Sequence, residues 1–214
     1  MKTRRSGFDT MSPYLYPLYI LFHPSDGFFE MKVNKKGSPL LVSIILASWF
    51  IIEFMGRAVT DFDFNRYIAI NYSLFDIFTV TLFAFGLAVI SNWCFCVLLD
   101  GKGRMIDIVT IGAYALLPFL IVKLGMIPLS YGVGSSAMAI FDTISFVSVI
   151  WSFSVAFVGL MVMHEYTFPK TVLAVFLTLL GAVIAFFITL LLTSLIQQFI
   201  NFISVVFLEL RYTW

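Results

Sequence analysis

Five stretches of this chain, approximately residues 38–59, 74–99, 105–127, 137–163 and 171–196, are each long and apolar enough to cross a lipid bilayer, and only short connections separate them. A spanning helix needs about 20 mostly apolar residues, because about 30 Å of hydrocarbon must be crossed at about 1.5 Å per residue. Backbone amides in hydrocarbon find no water, so each stretch is predicted to be a helix that satisfies its own hydrogen bonds. The short connections leave no room for an inserted soluble domain. The fold class predicted is therefore all-α: a polytopic five-helix transmembrane bundle over 38–214, preceded by a segment 1–37 that does not span. Composition agrees, since 61% hydrophobic residues, 12% charged residues and 25 phenylalanines give more apolar surface than a water-soluble interior of this size can bury.

Positively charged loops are retained in the cytoplasm, so the placement of lysine and arginine predicts orientation. Of the 13 such residues, Lys2, Arg4, Arg5, Lys32, Lys35, Lys36, Lys102, Arg104 and Lys170 fall on one side of a five-span topology, and Arg57, Arg66, Lys123 and Arg211 on the other. The N-terminus and the DGKGR and HEYTFPK turns are thereby assigned to the cytoplasm and the C-terminus to the outside. The net charge of +1 gives no reason to expect a nucleic-acid partner.

Ahead of the first span, aromatic residues from Tyr14 to Phe29 are mixed with basic ones, a pattern suited to the membrane interface. Pro24 followed by Ser25 and Asp26 signals a helix start, so a short interfacial helix ending near Gly37 is predicted, lying as an elbow on the cytoplasmic leaflet. After the last span, residues 197–214 stay apolar but gain Gln197, Gln198, Asn201 and Glu209. Either the fifth helix projects beyond the bilayer or it bends onto the outer surface, and the bend is the reading preferred here. Cys94 and Cys96, two apart in a helix, point to different faces and are expected to be small hydrophobes rather than a disulfide.

Three segments, FHPSDGFFEMKVNKKGS, LLDGKGRMIDIVTIGAYALLPFLI and GLMVMHEYTFPKTVLAVFLTLLG, together resemble bacterial Yip-domain proteins, relatives of the eukaryotic Ypt/Rab-interacting membrane proteins. The resemblance covers about residues 22–203 and implies five spans with a cytoplasmic N-terminus. Eukaryotic relatives bind prenylated small GTPases through a long N-terminal region with a DLYGP-like motif, which this sequence lacks, so GTPase binding is not implied. Bacterial relatives commonly accompany carbohydrate ABC-transporter components, which implies an accessory membrane role beside such permease subunits.

Ionisable groups near hydrocarbon cost a few kcal/mol unless paired or hydrated, so they are where function concentrates. Glu53 and Arg57, four apart on the first span, form a favourable helix pair. With Asp76, Lys123 and Asp142 at comparable depth, they make a candidate outward polar cluster able to line one vestibule. The alternative is that the five snorkel separately to the interface. No ionisable residue falls at the middle of a span, which argues against proton-coupled transport. The run GMIPLSYGVGSS reads as an outer loop.

In the cytoplasmic turns, Asp100, Lys102 and Arg104 face His164, Glu165 and Lys170, a candidate docking surface with a similar plan in each turn that hints at an internal repeat. GKGR lacks the spacing of a phosphate loop, and a single histidine beside one carboxylate is a thin basis for a metal site. No catalytic motif, cofactor site or metal site is predicted, and Asn71–Tyr72–Ser73, a glycosylation sequon, is discounted. The expectation is a non-enzymatic scaffold or accessory subunit of a transport or envelope assembly in a bacterial cytoplasmic membrane, partnered by lipid and another membrane protein. The alternative is a channel or transporter for small molecules or lipid.

Overall fold

A computed structural model describes residues 15–34, 37–60, 64 and 73–213. Among these residues every regular element is helical: α1 (Tyr16–Phe22), α2 (Pro24–Asn34), and five helices of spanning length, α3 (Pro39–Ala58), α4 (Leu74–Leu98), α5 (Met105–Leu129), α6 (Met138–His164) and α7 (Phe168–Thr213). The expected basic residues Lys2, Arg4, Arg5, Lys35, Lys36 and Arg66, and the sequon's Asn71 and Tyr72, lie outside the described residues.

Helix ends follow the local chemistry. Ser38 caps α3 with Pro39 at its first position, where the missing N–H costs nothing. Ser73 and Asp76 form a reciprocal capping box at α4, satisfying two otherwise orphaned amides. At their C-terminal ends, α4 and α6 stop in the same way. Asp100 and Glu165 adopt left-handed backbone conformations, with φ of 56° and 57°. The following amides of Gly101 and Tyr166 each bond back five residues, to Cys96 at 2.7 Å and Met161 at 3.0 Å, as in a Schellman closure.

The central helix is α5, which packs against α3, α4 and α6 and is the most buried span. Pro118 lacks an amide hydrogen and interrupts α5 at Leu116. The amide of Phe119 turns instead to Ser152 Oγ on α6, at 3.3 Å, so a helix break inside the membrane is satisfied by its neighbour. Helix α4 carries a π-helical turn over Thr79–Phe83.

The N-terminal segment sits deeper than an elbow on the leaflet surface. Helices α1 and α2 pair antiparallel, with Ile20 against Gly27 and the Tyr16 hydroxyl donating to the Gly27 carbonyl. The hairpin docks on α5 and α6, and Phe28 fits over Gly159. Trp151, fourteenth of the 27 residues of α6, donates its indole N–H to the Leu21 carbonyl at 3.2 Å. The tip at Phe22–Pro24 therefore lies level with the middle of α6, and Lys32 returns to the level of Val162 and Glu165. This is a half-membrane re-entrant hairpin, and it places His23 and Asp26, both exposed, at a depth where the five spans put no charge.

Two further differences from expectation concern helix ends. The run from Gly125 to Leu129 continues α5 through Pro128, so the outer loop is shorter than predicted. Helix α7 is one element of 46 residues that runs uninterrupted through residue 197. It contains no proline after Pro169 and no glycine after Gly181, and Thr189, Thr193 and Ser204 bond back to carbonyls four residues earlier. A kink needs such a breaker, and α7 has none there.

Candidate functional site

The half of the bundle that carries Glu53 encloses a cavity of about 470 Å³ lined by all four spans α3 to α6. Four of the five predicted residues, Glu53, Arg57, Lys123 and Asp142, line it. Glu53 is 8% exposed. Its carboxylate accepts from Lys123 Nζ across the interface with α5 at 2.5 Å, and Arg57 Nη2 lies 3.9 Å away, one turn along α3. One carboxylate thus faces two cations, and Asp142 lines the cavity from α6. Apolar side chains of Phe119, Met126 and Phe141 complete the lining, and the π-turn of α4 contributes Val80 and Thr81.

Asp76 does not join this group. Its carboxylate accepts from the Ser73 amide at 2.8 Å and the Ser73 hydroxyl at 2.9 Å, so its charge serves the helix N-terminus. Beneath the cavity, Ile45, Ile111, Tyr114, Ala115 and Val155 pack into one buried cluster.

The turns that follow α4 and α6 meet, and Lys32 of α2 joins them. Glu165 accepts from Lys102 and, at 2.7 Å, from Lys32 of α2. Those hydrogen bonds, the one from Lys102 first, hold the Glu165 carboxyl down at about 2. Arg104 pairs with Asp107 at 3.2 Å, which raises the guanidinium further, and Lys170 lies over the Tyr166 ring at 4.8 Å. Burial pushes the Tyr166 hydroxyl up, with Cys96 adding to the shift; that hydroxyl donates to the Cys96 carbonyl at 3.1 Å.

His164 is 1% exposed and stacks on Tyr166 at 5.2 Å. The Gly103 amide donates to its Nδ1 at 3.3 Å, which leaves the ring proton on Nε2. A Cβ on Gly101 would stand 2.5 Å from His164 Nδ1 and 2.8 Å from the Cys96 carbonyl oxygen, and one on Gly103 would stand 2.8 Å from His164 Cε1. The GKG sequence is thus a cradle for the imidazole, a role that charge reasoning did not reveal. Of the two thiols, Cys94 is exposed and Cys96 buried.

Five helices of spanning length, with α3, α4 and α6 packed around the central α5 and α7 chiefly on α4, define a polytopic α-helical membrane protein. A model of the Yip1 domain matches residues 18–207, and the chain belongs to that family. No curated protein and no solved structure was found to match it.

Proposed function

We propose that this chain is a non-enzymatic scaffold or accessory subunit that holds a second membrane protein against α7. In this reading the membrane is a bacterial cytoplasmic one, with the hairpin base and both basic turns in the cytosol and the C-terminus outside. One observation carries it. Helix α7 rises about 69 Å at 1.5 Å per residue, roughly twice the hydrocarbon thickness, yet packs on the bundle only through its first half, chiefly on α4. From Leu190 to Glu209 every side chain described is exposed, among them Leu195, Phe199, Phe202 and Phe207. An unpartnered apolar shaft of that length beyond the bundle is what a helix-to-helix contact with another membrane protein would cover. Carbohydrate ABC-transporter permease components are the partner class that the family resemblance implies.

Purification in mild detergent is expected to recover a stoichiometric membrane partner, and a version ending at Thr193 is expected to keep its thermal stability while losing that partner. A clean monomer from several mild detergents, or equal recovery of the partner by the shortened chain, would refute the role. The second reading, a conduit for small molecules or lipid, has the outward cavity in its favour and the packed core beneath it against it. Proteoliposome flux that Glu53→Gln abolishes would establish the conduit instead.

A further inference from the structure

The pattern of α7 changes along its length. At 1.5 Å per residue, about 20 residues from Phe168 cross about 30 Å of hydrocarbon, so the helix reaches the far boundary at about residue 190. From there polar residues enter at Ser194, Gln197, Asn201 and Ser204, three or four apart and therefore on one face. On the opposite face Leu192, Ile196, Phe199, Ile203 and Val206 recur at intervals of four, three, four and three residues. That alternation is the seam of a coiled coil, in which each apolar side chain fits between those of a facing helix. All five side chains are exposed, and α7 is one unbroken helix throughout.

The seam is matched best by its own duplicate. Two copies inserted in one membrane share an orientation and a depth, so their seams meet parallel, at one height and in register. Anchoring in the bilayer raises the concentration of one copy around another. With Ile200 and Phe207 beside it, the seam exposes on the order of 700 Å², close to the roughly 800 Å² per partner of a stable interface. We propose that residues 192–206 of α7 join two copies of this chain in a parallel coiled coil, left-handed as a repeat of about 3.5 residues requires. This rests on the reading of α7 as a docking helix and names a second copy as one of the proteins docked there. Phe202 and Val205, to one side of the seam, stay available to the other membrane protein.

The test is disulfide cross-linking in isolated membranes, with Cys94 and Cys96 replaced by alanine and two differently tagged full-length copies expressed together. Single cysteines are placed on the seam, Phe199→Cys or Ile203→Cys, and opposite it, Asn201→Cys or Ser204→Cys. A dimer carrying both tags is expected about tenfold more at positions 199 and 203 than at 201 and 204, because a disulfide needs Cα atoms within about 7 Å. Phe199→Asn combined with Ile203→Asn should separate the two tags during purification in mild detergent. Equal cross-linking on the two faces, or none at 199 and 203 in chains that insert normally, would overturn the contact between copies; recovery of another membrane protein in that case would leave the scaffold role standing without it. Cross-links between tags at 199 and 203 with no other membrane protein recovered would support the contact and remove the scaffold role.

Discussion

At the scale of single residues, the outer carboxylates show how the same chemistry is put to two uses. Glu53 is buried between Lys123 and Arg57, and its removal takes from Lys123 the carboxylate it pairs with. Glu53→Gln is expected to lower stability by about 2–4 kcal/mol, as when one partner of a buried pair is lost. Asp76→Asn removes only an exposed cap, and a smaller loss is expected. Thermal denaturation of the two variants in the same detergent gives the comparison. Glu165 makes a second prediction. Its folded carboxyl is depressed to about 2 from an unfolded value near 4.5. The stabilisation is therefore fully present above about pH 5 and is lost as pH falls toward 2. Melting temperature followed over that window should fall less in Glu165→Gln than in the unaltered chain. Sequence spacing revealed four members of the vestibule because each lies within a few turns of a predicted helix end. Asp76 shares their depth and misses the site, since depth along a helix says nothing about which face the side chain occupies.

At the scale of elements, the five spans were legible because an apolar run of bilayer length has one physical outcome, and every one of them forms. The α1–α2 hairpin was not legible to the same degree. Its helices of 7 and 11 residues are too short to span, and the mixture of tyrosine, acid and lysine suits an interface as well as a buried edge. What sets its depth is tertiary: the fit of Phe28 on Gly159 and of Ile20 on Gly27, and the Trp151 bond to Leu21. A Cβ at position 159 would come 2.6 Å from Ile111 Cγ2 and 2.8 Å from Phe28 Cε2. Gly159→Ala should cost about 1–3 kcal/mol by overpacking, and Gly159→Leu should expel the hairpin. Protease sensitivity of residues 15–34 from the cytosolic side is the readout; an equally protected hairpin in Gly159→Leu would contradict this packing. The unbroken course of α7 was likewise decided by what its sequence lacks, a proline or glycine at the membrane boundary.

At the scale of the molecule, one half of the bundle is filled by the α1–α2 hairpin and the other surrounds the cavity at Glu53 and Lys123, with α7 standing at the flank. All of it depends on hydrocarbon surrounding α3 to α7 and on the basic turns facing the cytosol. The most direct test is cysteine labelling in intact bacterial cells, with Cys94 and Cys96 replaced by alanine and single cysteines placed at Ser136, Thr167 and Ser25, all exposed positions. A membrane-impermeant maleimide is predicted to label position 136 in intact cells and position 167 only after permeabilisation. Position 25 should label under neither condition, because a thiol held at the depth of Trp151 has no water in which to ionise. Labelling of position 167 in intact cells would contradict the orientation, and labelling of position 25 as readily as 167 would contradict the buried hairpin.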